Sequence, residues 1–443
     1  MQVTRLPRDP GPAGWNRLLP DDVPPTPIEG KITADWLVIG AGFAGLAAAH
    51  RLSKQMPGDR IVVLDAVRVG EGPAGRNSGF MIDLPHDLTS DDYGGALDAD
   101  LVQTQDNRRG IVHATQMAQE YGLSDEAFVL SGKINGAVTD KGRAHNRSFA
   151  RHLEAMSEPR EMYDAAQMRE ITGTDYYQSG LFTPGTAMIQ PALYVRGIAS
   201  GLRSNGVTIH ENSPVTSLTR EGDWIATNPN GQVTAPRVIM AVNGHLNSFG
   251  YLRGRFMHVF TYASMTRAIS SEEAARLGGQ PLWGLTPADP MGTTVRRISG
   301  IGGERIIIRN RFTFDPSMEV SDARITNVAR DHDRAFAARF PMLAGMTMEY
   351  RWGGRLCVSR NNVQVIRELD HGLFSACCQN GLGTAKGTLA GGLAAELALG
   401  ETSPALERAL SAGLPRRLPP RPLARVGANM ILKMQERRAG KEL

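Results

Sequence analysis

Apolar and polar positions alternate between two periods along this chain, and the switches between them mark its elements. Trp36–Ile39 is a continuous apolar run bounded by turn residues, the pattern of a parallel strand covered on both faces. An Ala/Leu-rich helix to about Lys54, a turn at Pro57-Gly58 and a second apolar run, Ile61–Leu64, follow directly. Helical spacing returns at Asp98–Tyr121, at Pro191–Asn205 with a first-turn proline, at Asp322–Phe340 and at Ala424–Arg438. Strand patterns occur at Gly206–His210, Pro214–Arg220, Trp224–Thr227, Val238–Val242, Phe256–Arg267, Arg305–Phe314, Met348–Val358, Val363–Ile366 and Leu373–Cys378, and Asn230-Gly231 is a hairpin signal. After the last strand, Gln379–Gly387 is a second Gly-rich strand-to-helix turn, and its helix runs to about Leu399.

Strand–turn–helix units therefore stand at both ends of the chain and again in the middle, with strand-rich stretches of different character between them. This predicts an α/β protein with a discontinuous Rossmann-like domain and a second, α+β domain with a mainly antiparallel sheet. The expected boundaries are residues 32–97, 185–249 and 350–400 for the cofactor domain and 98–184 and 250–349 for the substrate domain. A Pro-rich arm occupies 1–31 and a basic tail 401–443. The arm, with a single Trp15, is expected to lack helix and either to cross the domain seam, anchored by Trp15, or to be disordered.

Gly40, Gly42 and Gly45 stand in G-x-G-x-x-G spacing between the first strand and its helix. Gly40 permits the tight turn, Gly42 lets backbone approach a pyrophosphate, and Gly45 lets the helix pack closely on the strand. The helix start offers free N–H groups to phosphate, and Asp65, twenty residues beyond Gly45, is placed to accept from ribose hydroxyls. This stretch alone indicates a dinucleotide, with NAD as open as FAD.

Composition narrows the classes. The 443 residues are 41% hydrophobic and 21% charged, enough for a large core in two domains. Cys357, Cys377 and Cys378 fit neither a disulfide scaffold nor a zinc site, so no metal is expected and a reducing, cytoplasmic setting fits. Met1–Gly30 has no apolar core of a signal peptide, and no apolar run approaches the roughly eighteen residues of a membrane span. Net charge is +4, but Glu401–Leu443 carries nine Lys/Arg against four Asp/Glu, so the body is near neutral and nucleic acid is not an expected partner.

Gly70–Gly79 is a loop of unusual glycine density beyond the second strand, where parallel sheets bind ligands. Its Gly75-Arg76-Asn77-Ser78-Gly79 joins three further motifs: Val38–Asp65, Gln190-Pro191 with the following helix, and Tyr350-x-Trp352-Gly353-Gly354 with Gly381-x-Gly383. Together they resemble the D-amino-acid-oxidase-type FAD-dependent oxidoreductases, the group that includes glycine and sarcosine oxidase. Within it, the chain is most similar to the gamma-glutamylputrescine-oxidase-like branch. The resemblance covers nearly the whole chain and implies FAD, held non-covalently, with Gly40, Gly42, Phe43, Ala44, Gly45, Asp65 and Ala66 at its ADP half. It implies Arg76, Asn77, Ser78 and Gly79 along the pyrophosphate and flavin, and Gly381, Leu382, Gly383 and Thr384 near the pyrimidine end, with Val215 and Asn243 also bordering the cofactor. The implied reaction is hydride transfer from an amine-bearing carbon to flavin N5, then imine hydrolysis. The partners are a small amine or amino acid and either O2 or another electron acceptor, in a monomer or homodimer without a membrane.

Departures from that family leave choices open. Arg143–Ala385 contains no lysine to activate oxygen, and Cys357 aligns with the family's flavin-linking cysteine only after a shift of about two residues, so a packed thiol is expected there. Arginine is the residue for bidentate capture of carboxylate or phosphonate, and strand alternation places Arg309 and Arg311 on one face as candidates for substrate binding. Arg355 and Arg360 lie nearer the expected flavin; Tyr262 is a candidate pocket wall, and His245 and His258 candidates for proton transfer, though packed histidines are the plainer expectation. Oxidation of a hydroxy acid or polyol phosphate stands as an alternative, as does an FAD-binding subunit of a larger dehydrogenase complex docking through the tail. Packing of the tail helix on the protein's own surface is expected over membrane or partner contact.

Overall fold

The computed structural model describes all residues except 21–23, 86–89 and 91–92; of residues 421–424 it describes the backbone. Among the described residues, Trp36–Ile39 and Ile61–Leu64 are fully buried neighbours in a six-stranded sheet. Thr208–His210 extends it beside Ile61–Leu64, while Arg237–Met240, Leu373–Cys377 and Val365–Asp370 continue beyond Trp36–Ile39. All these pairings are parallel except Val365–Asp370 with Leu373–Cys377. A smaller sheet pairs Gly30–Thr33 in parallel with Gly231–Ala235, whose hairpin partner is Asp223–Asn228.

Helices Phe43–Gln55 and Ala385–Ala398 cross one face of the six-stranded sheet at very short range. A Cβ on Gly391 would collide with the Ala44 carbonyl oxygen, which explains the run of small residues in the second helix. Helix Leu97–Glu120 joins this layer, its Gly110 against the Ala385 carbonyl and its Ile111, Ala114, Met117 and Ala118 in the same core. Its second half thus packs with the cofactor sheet, while its first half meets elements beyond residue 98, through Leu101 against Phe149 and Leu153 and through Asp100 with His152 at 2.8 Å. Its small-residue stripe finds a matching surface on the helix Ala385–Ala398.

The second layer is an eight-stranded sheet whose neighbouring strands run antiparallel except where Lys133–Ala137 meets Trp283–Pro287. Phe256–Thr266 lies between Arg305–Phe314 and Met348–Ser359. The last strand pairs with Phe256–Thr266 from Met348 to Ser359, so the expected boundary at residue 350 moves to the turn after Ser359. The pairing continues past a one-residue irregularity at Glu349, so residue 350 falls inside this strand.

The described residues of the Pro-rich arm pack on the body. Against the expectation of no helix, Gly14–Arg17 forms one turn that buries Trp15 completely. The Trp15 indole N–H donates to the Asn77 carbonyl at 2.9 Å, and Gln190 donates to the Trp15 carbonyl at 2.9 Å. The arm is thereby pinned across the Arg76–Gly79 loop.

The chain ends in helix Arg421–Ala439. One side packs on the last residues of Arg305–Phe314, which extend beyond its pairing with Thr294–Ile298: the Asn429 amide accepts from the Phe314 N–H and donates to its carbonyl, and Glu436 accepts from the Phe312 N–H. Glu442, just beyond, is buried and accepts from the Val138 and Thr139 N–H groups. No helix among the described residues is long and apolar enough to cross a membrane.

Candidate active site

A cavity of about 880 Å³ runs from the carboxyl ends of the parallel strands to the face of the eight-stranded sheet. At its first end, Gly40, Gly42, Phe43 and Ala44 line the wall where helix Phe43–Gln55 begins without a side-chain cap. The helix therefore presents unpaired N–H groups and its positive end to the cavity. The three glycines do different work. A Cβ on Gly40 would lie 2.6 Å from the Ala241 carbonyl, and one on Gly45 would strike the Gly40 carbonyl, whereas one on Gly42 would meet only Ala74 Cβ, at 3.5 Å. Gly45 is consequently a packing residue behind the wall, and Gly42 is the one facing open space.

Asp65 and Ala66 line the same end. Asp65 is buried, and its carboxylate accepts from the Ala41 N–H at 2.7 Å and the Val67 N–H at 3.0 Å. Burial outweighs these bonds and pushes its pKa up to about 6. Each oxygen keeps a lone pair for another donor.

Along the middle of the cavity run Arg76, Asn77 and Ser78 from one side and Val215 and Asn243 from the other. Arg76 spends its guanidinium on the carbonyls of Glu71, Pro10, Gly11 and Gly353, so it locks the loop to the arm and the Met348–Ser359 strand. Asn77 accepts from the Gly79 N–H at 2.8 Å, holding the turn. Gly79, at φ +79°, lies behind the wall against Arg296. Trp352 is fully buried there, its indole donating to the Arg76 carbonyl. Farther on, Gly381, Leu382, Gly383 and Thr384 line the start of helix Ala385–Ala398, and neither glycine has an atom of the described residues within 4 Å of where a Cβ would stand. Asn243 accepts from the Cys378 N–H, and Thr384 donates to the Phe80 carbonyl, so both ends of this turn are fixed.

A family model described as FAD dependent oxidoreductase matches residues 35–397 of the chain. The chain belongs to that family. Among curated relatives of this oxidoreductase, a probable oxidoreductase OrdL from Rhizobium meliloti is 24% identical over 410 residues, 90% of each chain. Gamma-glutamylputrescine oxidoreductase from Escherichia coli is 26% identical over 395 residues, 88% of each. Glycine oxidase from Geobacillus kaustophilus shares the fold with a TM-score of 0.67 at 18% identity, over 84% of this chain and 96% of that one. The L-amino acid deaminase of Proteus myxofaciens also superposes with a TM-score of 0.67, at 14% identity, over 86% and 93%.

The cavity suits FAD. Two glycine cradles, at Gly42 and at Gly381 and Gly383, open onto it, and one lies at a helix start, with the buried Asp65 carboxylate between the parallel strands.

The substrate candidates separate. Arg309, Tyr262, Thr286 and Phe312 line the cavity, as do Arg355 and Arg360, Arg355 lying close to Arg76 and His245. Arg309 stacks over the Phe312 ring at 4.7 Å and has no ion-pair partner among the described residues. The residue lines the cavity and is half-buried, and its partial desolvation lowers its pKa to about 10. Tyr262 shares a 2.6 Å hydrogen bond with Thr313, and burial pushes its phenol up to about 12. Arg355 donates to the Met318 carbonyl.

Arg311 does not join Arg309. The register slips between Thr261 and Tyr262, so that Thr261 opposes Phe312 and Tyr262 opposes Asn310. Arg311 is the extra residue, at φ +62°, and its side chain leaves the cavity to pair with Asp331 at 2.7 Å and Glu436 at 3.0 Å. His258 likewise does not line the cavity; its ring packs under Gly244, where a Cβ would come within 2.9 Å. His245 reaches the wall, but burial holds its pKa well below that of a free imidazole, and its Nδ1 lies 3.2 Å from Ser248 Oγ. Cys357 lines the cavity, with burial raising its thiol well above the usual range.

Three features escaped sequence reading. Arg296 is buried between Trp15 and Phe80 and donates to the Gly79 and Ile189 carbonyls, a role invisible without the three-dimensional path of the loop. Lys133, upstream of the lysine-free stretch, lies buried one side chain from the cavity, its Nζ 3.3 Å from Thr286 Oγ1, and burial lowers its pKa to about 8. Ala428, Leu432 and Gln435 of the tail helix form part of the wall; their i, i+4, i+7 spacing was the available signal.

Proposed function

We propose that this oxidoreductase oxidises a small amine or amino acid bearing a carboxylate or phosphonate, and that Arg309 binds the anionic group. The observation that carries this reading is the isolation of Arg309. A half-buried cation that lines an open cavity, with no carboxylate partner among the described residues, is desolvated at a cost that a ligand's anion would offset. The amine half rests on the relatives, whose names include a gamma-glutamylputrescine oxidoreductase and, for the fold, a glycine oxidase.

In this reading Gly40, Gly42 and Asp65 hold the ADP half of FAD, while Arg76–Ser78 and Gly381–Thr384 border its flavin. Bound FAD supplies the hydride acceptor, and water hydrolyses the imine that leaves. The protein's own work is placement: Arg309 fixes the anionic end, Phe312 and Tyr262 wall the substrate from solvent, and the rigid Asn77 turn keeps the loop from moving. The electron acceptor is O2 or another oxidant, the setting is cytoplasmic, and the protein works as a monomer or homodimer.

Anaerobic mixing with amines, amino acids, aminophosphonates and hydroxy acids tests the reading through flavin bleaching. Anionic amines are expected to bleach it fastest. Bleaching by hydroxy acids alone would replace the amine reading with its alternative. Readmitting air then separates oxidase from dehydrogenase.

A further inference from the structure

The outward face of the tail helix contradicts the expectation that its apolar residues pack on the protein's own surface. Val426, Met430 and Met434 stand at i, i+4 and i+8 and are 68%, 64% and 46% exposed; Ile431 beside them is 53% exposed. The inward face is already satisfied by Asn429, Glu436 and Leu432, so no rotation of the helix would bury this ridge without breaking those contacts. Lys433 and Arg437 flank the ridge on one side and Arg438, at i+12, closes its end, and none has an ion-pair partner among the described residues. Arg425 alone is tied back, 3.5 Å from Asp315.

We infer that this face docks on an anionic lipid surface, the helix lying in the plane of the headgroups. An apolar ridge edged by long cationic side chains suits that position. The ridge enters the acyl boundary while the aliphatic stems of Lys433, Arg437 and Arg438 lift their charges to the phosphates. A second copy of the chain fits poorly, because a twofold pairing of this face would set its uncompensated cations against themselves. The charge is concentrated for the purpose: residues 401–443 hold a net +5 on a body near neutral. Ile431 belongs both to the exposed face and to the cavity wall, so docking places an opening of the active-site cavity at the membrane surface.

Co-sedimentation of the FAD-loaded, full-length protein with vesicles tests this. Binding is expected to vesicles of phosphatidylglycerol and phosphatidylcholine at low salt, to weaken steeply as salt rises, and to be slight with phosphatidylcholine alone. Lys433→Gln and Arg437→Gln should each weaken it roughly fivefold. Met430→Glu should weaken it at least about tenfold. Flavin content and thermal midpoint in all three should match the unaltered protein, since these side chains lie outside the cavity and the core. No pelleting with phosphatidylglycerol vesicles at low salt overturns the inference, as does undiminished pelleting of all three variants. Binding to poly-glutamate without binding to vesicles also overturns it, and reassigns the face to an acidic protein. A dimer that Met430→Glu dissolves does so in favour of a second copy.

Discussion

The six-stranded and eight-stranded sheets meet at one cavity, yet their residues reach it by different routes. On the cofactor side, position follows from neighbours in sequence: Gly42 opens onto the cavity because it starts the helix after Trp36–Ile39, and Asp65 because it ends Ile61–Leu64. On the substrate side, position follows from register. Arg309 and Arg311 sit two residues apart on one strand, and a single bulge sends one into the cavity and the other to Asp331 and Glu436. A ligand site written in a local motif survives translation from sequence to structure; one written in strand alternation depends on every bulge between the residues compared.

Substitutions can break this contrast at either end. The largest effect is expected from Gly42→Val, whose side chain would enter the space beside the uncapped helix start. The purified variant should be colourless, and a normal flavin absorbance would remove the first motif from the site. Next comes the arginine pair. Arg309→Met should raise KM for an anionic substrate about a hundredfold, the loss of one charged, desolvated hydrogen-bonded contact, while flavin content stays unchanged. Arg311→Met should leave KM alone and lower stability by about 1–3 kcal/mol through its lost partners, read from denaturant unfolding. Equal KM effects from the two would mean that the bulge does not separate them.

Asp65 gives a smaller effect with an unusual signature. Its folded pKa, about 6, lies above the ordinary carboxylate value of 3.8. The folded apoprotein therefore holds the proton more tightly than the unfolded chain, and this group's contribution to stability falls as pH rises from about 4 through 6. FAD retention should run the other way, because only the ionised carboxylate accepts from both ribose hydroxyls, so affinity drops as pH falls below 6. Asp65→Asn should flatten both profiles and weaken FAD binding about tenfold.

How much was legible divides along the same line. The strands at 36–39 and 61–64, the helix between them and the second Gly-rich turn were readable because their periodicity and turn residues lie within a few positions of one another. The family resemblance carried the choice of FAD over NAD. That the second half of helix Leu97–Glu120 packs on the cofactor layer was not readable, since an apolar stripe names no partner. Nor was the boundary at Ser359, because residue 350 falls inside one continuous strand. Trp15 was readable as an anchor by its isolation among prolines, but its hydrogen bond to Asn77 depends on a fold that brings residues 15 and 77 together. The tail helix was read correctly as amphipathic and incorrectly as packed along its apolar face: Asn429 and Glu436, polar residues, make the contacts that seat it.

The claim on which the functional account rests is that Arg309 reads an anion on the substrate. Anaerobic titration of the flavin with a matched pair of amines, one carrying a carboxylate and one its neutral amide, compares the unaltered protein with Arg309→Met. The account predicts that the unaltered protein is bleached at much lower concentrations of the carboxylate than of the amide, and that the variant loses this preference while keeping its flavin. Bleaching by both amines at equal concentrations in the unaltered protein, or a preference that persists in the variant, would contradict it.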